Sequence, residues 1–175
     1  MPGSSDLFDD RIAALFATMD YQTVLDVGAG FGKMGAIARR GKNKAARITG
    51  IDKIGRYCEG LNKSDYNEAI CGDAVEWLFA NPDRLFDVVT ICDCLEHMRK
   101  SEGVDVLNLL TIRSKKIIIK VPMDTSESLL YQAGLNELNS ESHISIWGPH
   151  DFFPFQHSYD VVSAMQYVVI TGYMR

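Results

Sequence analysis

Asp26-Val27-Gly28-Ala29-Gly30-Phe31-Gly32 is the stretch that decides the fold of this chain. It follows a short apolar run and leads into a helical pattern. Glycines at every second position let the backbone turn sharply from strand to helix and bring its amides against a ligand. A dinucleotide-binding turn requires Gly-x-Gly-x-x-Gly, but the third glycine position is occupied by Lys33. The stretch therefore predicts a ligand-binding turn of different spacing, although taken alone it also fits a glycine-rich turn without a ligand.

Strand and helix patterns alternate along the chain. The first element is a helix predicted over 5–19, with Ser5 as its cap. Five strands follow, each of the first four leading into a helical pattern, over 23–27, 47–52, 68–71, 86–92 and 115–121. Ser101 is predicted to cap the helix before the fifth strand, and two last runs, over 158–162 and 166–171, predict a hairpin. The fold class is therefore α/β: a doubly wound, mostly parallel seven-stranded sheet with a C-terminal antiparallel hairpin.

Length and composition narrow the class of protein. With 175 residues, the chain is most simply one domain over 1–175. No apolar run approaches the roughly 20 residues that span a bilayer, and the polar N-terminus is unlike a secretory signal. A net charge of −5 argues against an extended nucleic-acid surface. A reducing, cytoplasmic setting without zinc is expected because the four cysteines lack paired CxxC spacing: Cys58, Cys71, Cys92 and Cys94.

The glycine-rich stretch has a close counterpart in a known family. Its pattern, acidic-x-Gly-x-Gly-x-Gly from Asp26 to Gly32, resembles the first motif of the class I S-adenosylmethionine-dependent methyltransferases. The alternating units and the final hairpin are also similar to the sheet of that family, so the resemblance covers essentially the whole chain. It implies S-adenosylmethionine as the cofactor and S-adenosylhomocysteine as the product.

The resemblance places the cofactor at the ends of the first four strands. Asp26 would order the glycine turn and favour the cationic end of the cofactor, while Asp52 would accept both ribose hydroxyls. Asp73 would take the adenine amino group and the next backbone amide a ring nitrogen. Each aspartate alone also fits a turn residue or a helix cap. The cofactor-binding residues predicted in this way are Asp26, Gly28, Gly30, Gly32, Asp52, Lys53, Asp73, Ala74 and Asp93.

Cys94-Leu95-Glu96-His97-Met98 follows the fourth strand and carries the first catalytic candidate. The segment resembles the Leu-Glu-His segment of methyltransferases that act on quinone precursors, sugars and other small metabolites. A hydroxyl acceptor benefits from a general base, and the ordinary pKa of histidine suits neutral pH. His97 is therefore a candidate base and Glu96 a candidate substrate contact. The alternative is that both side chains only brace the loop.

A polar insert over about 123–150 is where this family builds its acceptor pocket. Within it, His143 is a second catalytic candidate, and Trp147 and Tyr131 are candidate substrate contacts. Trp147 would equally serve as an anchor of the insert to the core. A metal site formed by His143, His150 and His157 matches no ligand spacing, so no metal is predicted.

Several functions compete for this sequence. The favoured one is methyl transfer to a small-molecule or glycan-like acceptor, at oxygen, by a monomer or homodimer. An Asn/Asp-Pro-Pro-Tyr/Phe motif typical of amine methylation is replaced by Asp93-Cys94-Leu95-Glu96. The runner-up is an RNA- or protein-directed methyltransferase, and a third hypothesis is an inactive cofactor-binding subunit. Lys33 in place of glycine argues against a nicotinamide-dependent reductase.

Overall fold

Seven strands form one sheet in a computed structural model that describes residues 5–61, 65–124 and 142–174. The strands are β1 (Thr23–Val27), β2 (Arg47–Asp52), β3 (Glu68–Cys71), β4 (Phe86–Cys92), β5 (Ser114–Pro122), β6 (His157–Val162) and β7 (Met165–Thr171). The helices are α1 (Asp9–Thr18), α2 (Lys33–Arg40), α3 (Gly55–Gly60), α4 (Ala74–Ala80) and α5 (Lys100–Arg113). Short 3₁₀ turns cover Leu95–His97 and Pro149–Phe152.

The strand order is β3-β2-β1-β4-β5-β7-β6. The first five strands run parallel, and β7 pairs antiparallel with both β5 and β6. This arrangement confirms the predicted α/β fold with its C-terminal hairpin. The order reverses between β1 and β4, where an open parallel sheet forms a crevice at the carboxyl ends of its strands.

Helices cover both faces of the sheet. Alternate residues of β4 and β5 belong to two separate buried clusters, because successive side chains of a strand point to opposite faces. Val89 and Ile119 pack in the cluster beside α4 and α5, whereas Val88 and Ile118 pack in the cluster beside α1 and α2. Burial on both faces explains why the central strands are almost continuously apolar.

Two predicted helix starts are wrong. α1 begins at Asp9 rather than near Ser5, because the Ser5 carbonyl oxygen accepts hydrogen bonds from the ammonium groups of Lys33 and Lys120. α5 begins at Lys100, so its N-cap is Arg99 instead of Ser101, and the Glu102 carboxylate accepts the hydrogen bond of the Arg99 amide. The start of α1 is thus set by two lysines distant in sequence, and the start of α5 by Glu102, the neighbour of the predicted cap.

The described helices contain no bilayer-spanning candidate, since none of them is both long enough and apolar enough.

Candidate functional site

A cavity of about 600 Å³ lies at the carboxyl ends of β1 to β4, at the point where the strand order reverses. It is lined by the glycine-rich turn after β1 and by the loops after β2, β3 and β4. The N-terminal segment at 5–6, Glu102, Pro122, His143 and Met165 also line it. The cavity therefore brings together groups that are far apart in the sequence.

The glycine turn is held against the loop after β4. Gly28 has a φ of 71°, and a Cβ there would lie 2.4 Å from the Cys94 Sγ atom. Gly30 has a φ of 51°, and a Cβ there would meet nothing closer than a backbone oxygen at 3.9 Å. Left-handed backbone at both positions favours glycine, and at Gly30 the missing side chain leaves open space beside the cavity. The turn is thus a cradle that can admit a ligand close to the backbone.

Asp52 links the glycine turn to the loop after β2. Its Oδ2 atom accepts a hydrogen bond from the Gly30 amide at 2.8 Å, and its Oδ1 atom accepts one from the Ile54 amide at 2.9 Å. The side chain is buried but lines the cavity. A carboxylate offers about four acceptor positions, so two backbone amides leave capacity for a pair of hydroxyl donors. This geometry fits the ribose of the predicted cofactor.

Asp73 caps helix α4 while also lining the cavity beside Ala74. Its Oδ1 atom accepts hydrogen bonds from the Val75 and Glu76 amides at 2.8 and 3.2 Å. The helix-cap interpretation is confirmed, while the adenine contact of this cavity-lining residue stays a prediction. Lys53 lines the same wall.

Asp26 and Gly32 lie outside the residues that line the cavity. The buried Asp26 carboxylate accepts hydrogen bonds from the Thr90 hydroxyl at 2.7 Å and from the Tyr66 hydroxyl, and burial raises its pKa from 3.8 to about 6. A Cβ at Gly32 would lie 3.1 Å from the Tyr66 ring. Asp26 and Gly32 both contact Tyr66, and through this side chain they stabilise the glycine turn. That tyrosine was not predicted, although Gly35 provides a small residue against its ring.

Asp93 is part of an ionic cluster around a fully buried lysine. Its backbone has a φ of 50°, and its carboxylate lies 3.2 Å from the Lys120 Nζ atom. The same ammonium contacts Asp9 at 3.1 Å and the Ser5 carbonyl. Lys33 reaches Asp9 at 3.0 Å from the other side. Two lysines thus hold the N-terminal segment over the cavity. These roles were not predicted, because Lys120 lies in an apolar strand and Lys33 was considered only as a departure from the dinucleotide-binding motif.

A second part of the cavity wall consists of one carboxyl group and two imidazoles, from Glu96, His97 and His143. The Glu96 side chain is 2% exposed, and within the described residues its Oε2 atom has no hydrogen-bond partner. The two imidazole rings stand edge to face with their centroids 4.9 Å apart. One ligand-type atom from each of the three residues lies within 4.8 Å of the other two. Burial raises the pKa of Glu96 to about 8 and lowers the pKa of His97.

The two remaining acceptor-site predictions have different outcomes. Trp147 does not line the cavity: it is 1% exposed, and its indole donates hydrogen bonds to the Leu95 carbonyl and the Ser145 hydroxyl. It anchors the end of the insert beneath the Leu-Glu-His segment, so we withdraw it as a substrate contact. Tyr131 and the part of the insert over 125–141 lie outside the described residues.

A family model matches the part of the chain that contains the glycine turn. Residues 25–110 match the family model described as a methyltransferase domain, a span that runs from the middle of β1 into α5. The glycine cradle and the strand ends around the switch point lie within that span, whereas His143 and the segment at 5–6 lie outside it. The chain therefore contains a methyltransferase domain, with the fold that S-adenosylmethionine-dependent methyltransferases share. It is therefore an enzyme whose cofactor is S-adenosylmethionine.

Solved structures share the fold of this methyltransferase at low identity. A SAM-dependent methyltransferase from Archaeoglobus fulgidus has a TM-score of 0.70 at 17% identity and covers 93% of this chain and 90% of its own. The small RNA methyltransferase HEN1 has a TM-score of 0.68 at 16% identity, and the alignment covers 100% of this chain and 27% of the HEN1 chain.

An O-methyltransferase family protein from Burkholderia thailandensis has a TM-score of 0.69 at 12% identity. The alignment covers 94% of this chain but only 56% of the Burkholderia chain. A search of curated proteins finds no significant match. At these identities the likeness extends to the fold alone.

Proposed function

We propose that this methyltransferase acts on a hydroxyl oxygen of a small-molecule or glycan-like acceptor. The observation that carries the proposal is the Glu96–His97–His143 wall, which lies in the same cavity as the glycine cradle. A carboxyl group and two imidazoles offer both hydrogen-bond acceptors and donors to an acceptor hydroxyl. The cavity volume of about 600 Å³ also falls in the range of small-ligand sites, roughly 300–1,000 Å³.

The cofactor half of the cavity is assigned to the residues around β1 to β3. The Gly28 and Gly30 turn accommodates the methionine portion, Asp52 accepts the ribose hydroxyls, and Asp73 with Ala74 faces the adenine. When bound, the cofactor supplies a methyl group on a positively charged sulfur. The role of the protein is then to hold the acceptor oxygen in line with that methyl group, a positioning effect that accounts for much of the acceleration in such reactions.

The acceptor half must also allow the proton of the acceptor hydroxyl to be removed. Burial lowers the pKa of His97, so its imidazole is neutral at pH 7, and its Nδ1 atom lies 3.1 Å from the Ser142 carbonyl oxygen. A carbonyl can only accept, so Nδ1 carries the hydrogen and Nε2 carries the lone pair. His97, or its neighbour His143, is thereby suited to take the proton or to hold the group that does.

Methyl transfer from labelled S-adenosylmethionine tests this proposal. The acceptor panel contains monosaccharides, polyols and phenols alongside an RNA mixture and unfolded polypeptide. We expect label in hydroxyl compounds, recovered as methyl ethers by mass spectrometry, and its loss in Asp52→Ala. His150→Ala is the matched control, since His150 is 77% exposed at its side chain and lies outside the cavity lining.

Two outcomes would overturn the proposed acceptor. Label confined to RNA or polypeptide would favour the macromolecular alternative. Saturable binding of S-adenosylhomocysteine without transfer to any acceptor would favour a cofactor-binding regulatory subunit.

A further inference from the structure

We propose that Glu96, His97 and His143 bind a divalent metal ion in the acceptor half of the cavity. One ligand-type atom from each residue lies within 4.8 Å of the other two, which is the separation of donors around a shared ion. All three residues line the cavity, and none of them takes part in the predicted cofactor contacts. No metal was predicted from the sequence, because His143, His150 and His157 match no ligand spacing and the Glu96–His97 pair lies more than forty residues from His143.

The orientation of both imidazoles supports a metal site. The Nδ1 atom of His97 lies 3.1 Å from the Ser142 carbonyl oxygen, and the Nδ1 atom of His143 lies 2.5 Å from the Asp124 carboxylate. Metal-binding histidines almost always donate one ring N–H to a carbonyl or carboxylate, which fixes the tautomer and leaves the other nitrogen as the ligand. Both rings have this arrangement independently, and in each of them the ligand nitrogen is then Nε2.

The burial of Glu96 is the second, independent observation. The side chain is 2% exposed, and its Oε2 atom lacks a hydrogen-bond partner within the described residues. A buried polar atom without a partner costs roughly 1–3 kcal/mol, so a native structure retains one only for a reason. A bound cation would supply the missing partner. The neighbouring acid Asp93 is instead paired with Lys120.

The ligand set indicates which metals would bind. Two imidazoles and one carboxylate suit Mn²⁺, Fe²⁺, Co²⁺ or Zn²⁺, whereas Mg²⁺ prefers oxygen ligands alone. Three protein ligands leave positions open for exogenous oxygen atoms, as in catalytic metal sites. Two adjacent oxygens of one molecule can occupy such positions together. The inferred acceptor is therefore a vicinal diol, such as a sugar or a related polyol.

This assignment deepens the proposed function and rests on it for its chemistry. Coordination to the ion lowers the pKa of the acceptor hydroxyl, and its proton passes to solvent water. The resulting oxygen forms a bond to the methyl carbon, the carbon–sulfur bond breaks, and its electron pair remains on sulfur. His97 and His143 then act as ligands instead of direct bases.

Titration with Mn²⁺ alone tests the metal site without reference to activity. After chelator treatment, calorimetry and electron paramagnetic resonance should detect one Mn²⁺ per chain. We expect Glu96→Gln and His143→Ala each to weaken binding more than 100-fold. Asp124→Asn, which only alters the partner of His143, should weaken it about 10–100-fold. His150→Ala should bind Mn²⁺ like the wild type.

Binding of S-adenosylhomocysteine is measured on every variant, so that misfolding and failure of the proposed function can be recognised. A wild-type protein that binds S-adenosylhomocysteine but neither Mn²⁺, Co²⁺ nor Zn²⁺ would overturn the metal site and leave the proposed function intact. Equal Mn²⁺ affinity in Glu96→Gln, His143→Ala and wild type would also overturn it. Mn²⁺ binding without S-adenosylhomocysteine binding would leave the metal site standing and reject the proposed function.

Discussion

The two halves of the cavity differ in how their polar groups are satisfied. In the cofactor half, the carboxylates of Asp52 and Asp73 each accept two backbone amides, and Asp93 is paired with a buried lysine. In the acceptor half, Glu96 is buried with an oxygen that no described residue contacts. The cofactor half is therefore held in shape by the protein itself. In the acceptor half, the proposed metal ion would supply the partner that this oxygen lacks.

Because of this difference, mutations in the two halves should affect folding and ligand binding differently. Groups of the cofactor half contribute to folding and to binding at the same time, since their partners belong to the protein. In the acceptor half, the Glu96 carboxyl should contribute little to folding, because its Oε2 atom has no hydrogen-bond partner among the described residues. Stability and ligand binding should therefore change together in one half and separately in the other.

The largest expected effect concerns the buried lysine of the cofactor half. Lys120→Met leaves Asp9 and Asp93 near each other without the ammonium between them, and breaking a buried pair costs about 3–5 kcal/mol. Lys33→Met is the matched control, because that side chain is 32% exposed and its ion pairs are worth at most about 1 kcal/mol. Urea denaturation measures both free energies of unfolding. Similar losses of unfolding free energy in the two variants would show that the burial of Lys120 does not make its ion pairs more important.

A pH dependence should come next in size, at Asp26. Burial raises the pKa of this carboxyl from 3.8 to about 6 in the folded protein. Between these two values the unfolded chain loses the proton while the folded chain keeps it, so rising pH favours unfolding. The contribution of Asp26 to stability is complete below about pH 4 and is lost as pH rises through 6, by about 3 kcal/mol.

Comparison of wild type with Asp26→Asn isolates this contribution, since asparagine does not titrate in this range. Denaturation curves from pH 4.5 to 7.5 should show the wild type losing stability relative to the variant as pH rises. If the two proteins kept the same difference in stability at every pH, or if the wild type became more stable relative to the variant as pH rises, Asp26 would not be buried in the manner described.

The smallest effect on stability is expected at Glu96. Burial raises the pKa of its carboxyl to about 8, so the side chain is mostly neutral at pH 7 and glutamine preserves both its charge and its shape. In metal-free buffer, Glu96→Gln should change the free energy of unfolding by less than about 0.5 kcal/mol. Excess Mn²⁺ should raise the melting temperature of the wild type but not of the variant. A large loss of stability without metal would instead assign Glu96 a structural role.

Much of the fold could be predicted from local patterns. The apolar runs of β1, β4 and β5 and the glycine turn are contiguous in sequence, and periodicity identifies them directly. The acidic residues at or just after the ends of β2, β3 and β4 were likewise predicted as a group, because the carboxyl ends of parallel strands meet at one edge of a sheet. The structure brings Asp52, Asp73 and Asp93 to one cavity.

The remaining features depend on contacts between distant segments. Tyr66 supports the turn because it fits against glycines from two other elements, at Gly35 and Gly50. Trp147 turned inward because Gly103 on α5 leaves room for its ring: a Cβ there would lie 2.4 Å from the indole. The pairing of His143 with Glu96 and His97 spans more than forty residues. No local periodicity encodes such contacts, so they could not be predicted from the sequence.

Binding of S-adenosylhomocysteine to the wild type and to Asp52→Ala tests the central claim most directly. We predict saturable binding by the wild type in calorimetry and a loss of roughly 1.5–3 kcal/mol in the variant, about 10- to 150-fold in the dissociation constant, because charge-assisted hydrogen bonds to the ribose are removed. NADH should produce no saturable heat. An unchanged dissociation constant in Asp52→Ala, or saturable binding of NADH alone, would contradict the account.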